Sequence, residues 1–407
     1  SIATPALETE AADGTRKLLL RLSDGLEVEA VLIPPLPPTG RKTSSNARAR
    51  STLCISSQVG CRQGCTFCAT GRMGLLRGLT TDEILVQAWW AKRVAEKAGI
   101  PPLANIVFMG MGEPADNAPN VRAAVECLVD PARFGFSKQS VTVSTVAPTP
   151  EAFETLVGEQ GDDAEDGVML AWSLHAADET LRKRLVPTAK YTPAELRDGL
   201  CSALRRRPPR RRKVLVEYVL IDHVNDGIDD ARILADFLTP VHAACYHEER
   251  QSNRTGVLVN LIPYNPDVAV SAADGDDTCD DTGPPQTVEP SSSRGITHYS
   301  QFRRPAKSRV EAFQAELRSL GVWTSVRATR GDEDSSMAAC GQLAIRRQRE
   351  SAQGRGASTP AAPSGVSPTS STRVQDEPDG GTPGESARDA VSAVTEQLLD
   401  TKSDTRY

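Results

Sequence analysis

The chain has 407 residues and a formal net charge of -6 at pH 7, and 39% of its residues are hydrophobic and 25% charged. This length predicts one large domain with appendages or two domains, and no apolar run is long enough to span a membrane. The nine cysteines are irregularly spread and follow no secretory signal, which argues against a disulfide scaffold and favours a reducing compartment.

The N-terminal segment, residues 1–50, is predicted to be rich in strands and to end in a flexible loop. Residues 17–34 contain two apolar runs on either side of the turn sequence SDG, which indicates a hairpin. The stretch that follows, 34–51, is rich in proline, serine and arginine and is predicted to be the loop.

Residues 51–347 alternate short apolar runs with helical ones, which predicts a core of repeated βα units. Strands are expected at 52–56, 104–110, 140–146, 168–174, 213–221, 257–262 and 322–328. Helices are expected at 80–99, and near 118–129, 149–157, 192–205, 228–238 and 305–320. The first helix has the clearest signals, a capping box from Thr80 to Glu83 and a stop at Gly99. Such units give parallel strands in an open sheet or a barrel, with functional groups at the carboxyl ends of the strands.

Polar segments interrupt this core and follow it. Inserts are expected near 158–167, 204–212 and 267–297, and the tail 348–407 has the composition of a disordered segment. The first and third inserts are acidic, whereas the second is rich in arginine. The arginine run could contact RNA, but a solvated loop is the favoured interpretation.

Three cysteines with the spacing C-x3-C-x2-C, namely Cys61, Cys65 and Cys68, are the most informative motif. A structural zinc site normally takes four protein ligands, and no matching second pair is present. Iron in a four-iron cluster also takes four ligands, so three cysteines would leave one iron open for a small molecule. The glycine-rich sequence MGMGEP, 109–114, follows a predicted strand and offers close backbone approach and a carboxylate.

This pattern resembles the radical S-adenosylmethionine (SAM) superfamily, and further blocks resemble its RlmN/Cfr family of RNA adenine methyltransferases. The blocks are CISSQVGCxxxCxFCATG, MGMGEP, VTVSTV, SLHA, VEYVLIDHVND, NLIPYNP and RGDEDSSMAACGQLA, in that order. The resemblance implies an α/β fold, a partial (β/α)6 barrel like an opened TIM barrel, here with a small β-rich N-terminal extension. It also implies a [4Fe-4S] cluster on the three cysteines and two SAM molecules per turnover.

The family's chemistry transfers to three further residues. Cys340 matches the cysteine that carries the methyl group as S-methylcysteine and becomes covalently linked to RNA. Cys54 matches the resolving thiol that forms a disulfide with it and releases the methylated base. Glu29, in VEAVLIP, matches the proposed proton acceptor. Judged from its strand alone, Glu29 would more often face solvent.

The resemblance also implies a set of SAM contacts and partners. The SAM contacts are Gly112, Glu113, Ser144, Ser173, Leu174, His175 and Asn265. The partners are RNA and an external electron donor such as flavodoxin or ferredoxin. No membrane partner is expected, and we expect a monomer.

The implied function is methylation of adenine C2 in large-subunit ribosomal RNA, transfer RNA, or both. Alternatives are C8 methylation of the same adenine, another radical SAM substrate, and a cluster-stabilised RNA-binding protein without activity. The family's helical accessory domain is almost absent before residue 17, which leaves target recognition open. The expected location is the cytoplasm or another reducing compartment, and a plastid or mitochondrion if a targeting segment precedes residue 1.

Overall fold

The computed structural model describes residues 1–11, 13–35, 49–157, 167–246, 256–265 and 302–327. The predictions for Cys340, for the insert 267–297 and for the tail 348–407 lie outside these residues, as does nearly all of the insert 158–167.

The described residues form a mixed sheet and a separate short hairpin. The strands are β1 (Ala3–Glu10), β2 (Arg16–Leu22), β3 (Glu27–Ile33), β4 (Ser51–Cys54), β5 (Gln58–Gly60), β6 (Leu75–Gly78), β7 (Leu103–Phe108), β8 (Val141–Thr145), β9 (Met169–Ser173), β10 (Val214–Leu220), β11 (Val257–Pro263) and β12 (Trp323–Val326). The sheet has the order β1-β2-β3-β4-β7-β8-β9-β10-β11-β12, and β5 pairs with β6. The pairs from β4 to β12 are parallel, whereas β1 to β4 pair antiparallel.

Helices connect each parallel strand to the next. They are α1 (Thr81–Lys97), α2 (Ala118–Val129), α3 (Ala152–Val157), α4 (Glu179–Leu185), α5 (Pro193–Arg206), α6 (Ile228–Cys245) and α7 (Lys307–Ser319). Six successive crossovers therefore lead from β4 to β12 within the described part, which confirms the predicted α/β architecture.

Local sequence signals explain where the first helix begins and ends. The Thr80 hydroxyl accepts from the Glu83 amide at 3.3 Å, and the Glu83 carboxylate accepts from the Thr80 amide at 2.9 Å. This capping box satisfies backbone donors that have no partner inside the helix. Gly99 follows the helix with a φ of 63°, a conformation that glycine adopts without strain.

The core lies between the parallel sheet and the helices that cover it. Trp172 on β9 is fully buried, and its ring meets Phe153 of α3 edge-on and Phe237 of α6 at an angle. Parallel strands are covered on both faces, so their residues are buried almost continuously, as along Val214–Leu220. Among the described residues, no helix is apolar enough over a sufficient length to cross a membrane.

Two features differ from the sequence predictions. β1 was not expected, because Ala3–Glu10 carries charged residues and a proline; Pro5 lies at an irregularity of an edge strand, where a missing amide donor is tolerated. The solvated loop at 204–212 was wrong for its first part, because α5 continues to Arg206. Arg207 is then buried, and its guanidinium donates to the Val168 carbonyl, which ties the end of α5 to the start of β9.

Candidate active site

The three cysteines of the predicted cluster motif lie in one loop bracketed by the β5–β6 hairpin. The Cys61 amide donates to the Gly74 carbonyl at 2.9 Å, and the Cys68 amide donates to the Cys65 carbonyl at 3.0 Å. Gly60 has a φ of 81°, and a Cβ there would lie 1.9 Å from the Gly74 oxygen. Only glycine lets the two arms of the hairpin approach this closely, so the loop is folded back onto itself.

The thiols of this loop influence one another electrostatically. Burial raises the pKa of Cys61 to about 12, and the nearby Cys68 adds to this rise. Burial raises the pKa of Cys65 well above its usual value, again with a contribution from Cys68 and Cys61. Buried thiols that disfavour ionisation need a compensating positive charge before they can act as thiolate ligands.

The donors of this loop are three cysteine thiols, the ligand type that an iron–sulfur cluster takes from protein. No group of three or more histidine, cysteine or acidic side chains in the described residues has the geometry to hold one metal ion. Cysteines that ligate an iron–sulfur cluster bind different irons, so their sulfurs are spaced more widely than ligands of one ion. Three mutually interacting thiols in one loop therefore fit a [4Fe-4S] cluster.

The glycine-rich loop after β7 presents a buried carboxylate. Glu113 is 2% exposed, and its oxygens accept from the Thr145 hydroxyl at 2.5 Å and from the amides of Val146 and Ala115 at 2.9 Å. Burial raises the pKa of Glu113 to about 7, although these hydrogen bonds oppose the rise. Gly112 has a φ of 103°. The loop thus holds an acceptor that a bound cation would stabilise.

Ser144 and Ser173 come together at the ends of adjacent parallel strands. Their hydroxyl oxygens are 3.0 Å apart, because β8 and β9 pair in parallel with Ser144 opposite Ala171. The Leu174 side chain is fully buried, and its amide donates to the Glu217 carbonyl. Leu174 thus contributes backbone rather than side chain to this edge of the sheet.

His175 is a buried, neutral histidine next to the cysteine loop. Burial lowers its pKa to about 3, and its Nδ1 accepts from the Val219 amide at 3.2 Å. The proton of the neutral ring is therefore assigned to Nε2. The rings of His175 and Phe67 meet edge-on with centroids 4.6 Å apart. This contact joins the strand end to the loop that carries Cys65 and Cys68.

Asn265 lies two residues after β11, beside the end of β10. The amide of the preceding Tyr264 donates to the Leu220 carbonyl at 2.8 Å, which aligns this segment with β10. Asn265 is half-buried. Its position at a strand end fits the same edge of the sheet as Ser173 and His175.

Arg182 was not identified from the sequence. It is 1% exposed, and its guanidinium donates to the carbonyls of Val146, Ser173 and Leu174. It therefore fixes the backbone where β8 and β9 end, close in sequence to the predicted SAM contacts Ser173, Leu174 and His175. Its sequence context, the basic run LRKRL of α4, is typical of an exposed helix and contains no signal for this role.

Cys54 is the last residue of β4, and it is 2% exposed. Its register partner is Val31 on β3, the strand that also carries Glu29. Glu29 is 2% exposed, so the solvent-facing alternative was wrong. β3 is buried at five consecutive positions, so protein covers the residues on both faces of this strand.

The sequence matches known proteins over most of its length. The model of the radical SAM superfamily matches residues 55–235. The chain is 36% identical over 335 residues to the dual-specificity RNA methyltransferase RlmN of Syntrophobacter fumaroxidans, covering 82% of this chain and 78% of the relative. It is 38% identical over 341 residues to the RlmN protein of Marinobacter nauticus, covering 81% and 73%.

The structure also resembles that of a solved radical SAM methyltransferase. The radical SAM methyltransferase from Sphaerobacter thermophilus superposes with a TM-score of 0.61 at 34% sequence identity. The match covers 84% of this chain and 81% of that protein. Sequence and structure therefore agree on the superfamily.

Proposed function

The chain belongs to the RlmN-like radical SAM RNA methyltransferases, and we propose that it methylates C2 of an adenine in large-subunit ribosomal RNA, transfer RNA, or both. The family relationship makes it a SAM-dependent enzyme that acts on RNA. The observation that best supports methyl transfer through two cysteines is the position of Cys54. It lies at the end of the first parallel strand, four positions before the hairpin strand β5 begins at Gln58, and on the face of the sheet that also holds Glu29.

The cluster and SAM would be held by residues at the carboxyl ends of the strands. When bound, the [4Fe-4S] cluster and two SAM molecules per turnover supply the electron and the methyl group. Cys61, Cys65 and Cys68 would hold the cluster. The residues proposed to hold SAM are Gly112, Glu113, Ser144, Ser173, Leu174, His175 and Asn265.

The proposed SAM contacts differ in chemistry, and each suits a different kind of interaction with SAM. The carboxylate of Glu113 is suited to an ammonium, since a charge-assisted hydrogen bond is stronger than a neutral one. The hydroxyls of Ser144 and Ser173 are 3.0 Å apart and can each turn to donate or accept. His175 stays neutral at physiological pH because burial lowers its pKa to about 3, so it can offer a donor without adding charge.

Two further cysteines would take part in the transfer of the methyl group to RNA. Cys340, which lies outside the described residues, is proposed to hold the methyl group on sulfur and to become covalently linked to the adenine. Glu29 is proposed to accept the ring proton, and Cys54 to attack the sulfur of Cys340, which releases the base and leaves a disulfide. An external donor such as flavodoxin or ferredoxin is proposed as the source of electrons, and the disulfide must be reduced before the next turnover.

Two basic side chains help to line a cleft next to the cysteine loop. A cleft of about 400 Å³ is lined by Thr66 of that loop, by Lys183 and Arg184 of α4, and by Phe302. Phosphates of RNA favour such basic surfaces. An adenine must also leave its stack to reach a buried site, and the half-buried aromatic ring of Phe302 in the lining of the cleft is suited to contact an unstacked base.

Mass spectrometry of a Cys54→Ala variant purified together with its RNA tests the proposal. We expect a covalent RNA adduct on Cys340, since the thiol that releases it is absent. Cys127→Ala is the matched control, because Cys127 is a buried thiol of α2 with no proposed role, and it should accumulate no adduct.

Nucleoside analysis of RNA treated with the wild-type protein then identifies the product. 2-Methyladenosine supports the proposal, whereas 8-methyladenosine assigns C8 instead. Bound RNA without any methylated nucleoside, from protein with an intact cluster, would favour an RNA-binding protein without activity.

A further inference from the structure

Lys17 is a lysine whose charged end is almost completely enclosed by protein. Its side chain is 1% exposed, and its Nζ lies 3.4 Å from Oε1 of Glu29, whose side chain is also 1% exposed. Lysine is rarely buried to this degree, because an ammonium loses its hydration on burial. The pair therefore needs an explanation beyond the ordinary packing of a hairpin.

The strand register places this pair on the same face of the sheet as Cys54. Lys17 on β2 is opposite Val31 on β3, and Val31 is opposite Cys54 on β4. Residues directly opposite one another share a face of the sheet, and so do residues two apart on one strand. Lys17, Glu29 and Cys54 thus lie on one face. Glu29 is held further by the Ser56 hydroxyl, which donates to its carbonyl at 2.6 Å.

A second ion pair on the same two strands shows what an ordinary structural pair looks like here. Arg21 of β2 contacts Glu27 of β3 at 2.9 Å, and the Arg21 side chain is 52% exposed. Such a pair keeps its hydration. A buried pair instead carries a desolvation cost that its mutual attraction often fails to recover, so apolar residues would usually serve stability as well or better. A buried ion pair on the same face of the sheet as Cys54, the proposed resolving thiol, is therefore a candidate for a functional role.

We propose that Lys17 is a positioning residue. It holds the Glu29 carboxylate on the same face of the sheet as Cys54, where this carboxylate accepts a proton from the target adenine of the RNA. This inference rests on the proposed function. In the transfer, the C2–H bond breaks, its electron pair stays on the ring, and the proton passes to a Glu29 oxygen. Lys17 neither gives nor takes a proton in this step. Its ammonium balances the carboxylate charge before the transfer and fixes the oxygen that receives the proton.

A comparison of Lys17→Met, Lys17→Arg and the control Arg21→Met tests this role in the full-length, cluster-loaded protein. Under single turnover with RNA, we expect methyladenosine formation by Lys17→Met to slow by about 10- to 100-fold, in line with the loss of a well-placed base. SAM cleavage to 5′-deoxyadenosine should persist, and the RNA adduct on Cys340 should accumulate. Lys17→Arg should restore most of the rate, and Arg21→Met should behave as wild type.

A charge-neutral variant separates positioning from folding. Lys17→Met combined with Glu29→Gln leaves no unpaired buried charge, and it should be no slower than Glu29→Gln alone. If Lys17→Met slows both backgrounds by the same factor, Lys17 does not act through Glu29 and the assignment is refuted. A wild-type rate for Lys17→Met, or loss of SAM cleavage in step with a lowered melting temperature, also overturns it. Wild-type protein that forms no methyladenosine would instead overturn the proposed function, and the assignment with it.

Discussion

The carboxylate of Glu113 offers the sharpest test of the proposed SAM site. Glu113 is buried, and both of its oxygens are occupied by donors from the next strand end and from its own loop. Glu113→Gln keeps the shape of the side chain and removes its charge. We expect this variant to lose SAM affinity with little loss of stability near pH 8.

The size of the expected changes in stability and in SAM affinity follows from the surroundings of Glu113. A rise of the pKa from 4.5 to about 7 means that ionised Glu113 destabilises the ligand-free protein by about 3 kcal/mol above pH 7. Glutamine removes that cost. It also turns an NH2 group towards the Val146 amide, which loses its acceptor at a cost of about 1–3 kcal/mol. The two changes nearly cancel. Loss of a charge-assisted bond to the SAM ammonium should weaken binding by about 1.5–3 kcal/mol, or roughly 10- to 150-fold.

The raised pKa of Glu113 fixes the direction in which stability and SAM affinity change with pH. The folded protein holds the Glu113 proton between about pH 5 and about pH 7, where the unfolded chain has released it. The free energy of unfolding of the ligand-free protein should therefore fall as pH rises through this window. SAM affinity should rise over the same window, because the ammonium favours the ionised carboxylate. Glu113→Gln should flatten both trends.

Equilibrium binding of SAM to cluster-loaded protein, with denaturant unfolding at several pH values, measures these quantities. Glu195→Gln is the control, because Glu195 is an exposed carboxylate that caps α5 through Thr192 and has no proposed role in SAM binding. Wild-type SAM affinity in Glu113→Gln would refute the assignment of Glu113 to the ammonium. An unchanged pH slope of stability would refute the burial argument.

Three further perturbations follow from the site. Cys65→Ala should abolish cluster binding, seen as loss of iron and acid-labile sulfide, whereas Cys127→Ala should retain both. Gly112→Ala should destabilise the protein by more than about 2 kcal/mol and weaken SAM binding, because the new Cβ would lie 2.7 Å from the Gln58 side chain and alanine would have to adopt a φ of 103°. Gly25→Ala is the control: its φ is 86° but the space around it is open, so it should cost only about 1 kcal/mol from backbone strain. Arg182→Met should destabilise by about 3 kcal/mol or more, because three backbone carbonyls lose their donor, and thermal unfolding would measure this.

Much of the parallel core could be predicted from the sequence, because its signals are local. The apolar runs that form β7 to β11 are bounded by turn residues, and the start of α1 follows from a capping box that depends on residues three apart. The cysteine loop was also evident, since C-x3-C-x2-C is a short-range pattern. β1 was missed because its outward face is charged and because it is an edge strand, which pairs with β2 alone in the described sheet.

The parts of the site that escaped prediction depend on contacts between distant segments. Arg182 belongs to a basic helix, and its burial arises only because α4 packs beneath the loops that contain Val146 and Ser173. The family resemblance singled out Glu29, but its strand alone favoured a solvent-facing side chain, since a single strand with alternating residues does not reveal what covers its polar face. Its partner Lys17 is twelve residues away, and only the register of β2 against β3 brings the two charges together.

The polar groups of the site share one physical arrangement. Glu29, Glu113 and Arg182 are each enclosed by protein, and each contacts groups on a neighbouring strand or on the loop that follows it. A buried charge that lost its partner would cost several kcal/mol, so these contacts hold the charged groups in fixed positions. Proton transfer and ammonium recognition both require fixed charges, since a displacement of about 1 Å can cost about 100-fold in rate. The hairpin β2–β3 is therefore part of the catalytic machinery in this proposal, because it supplies the charged pair next to Cys54 that the parallel strands alone do not provide.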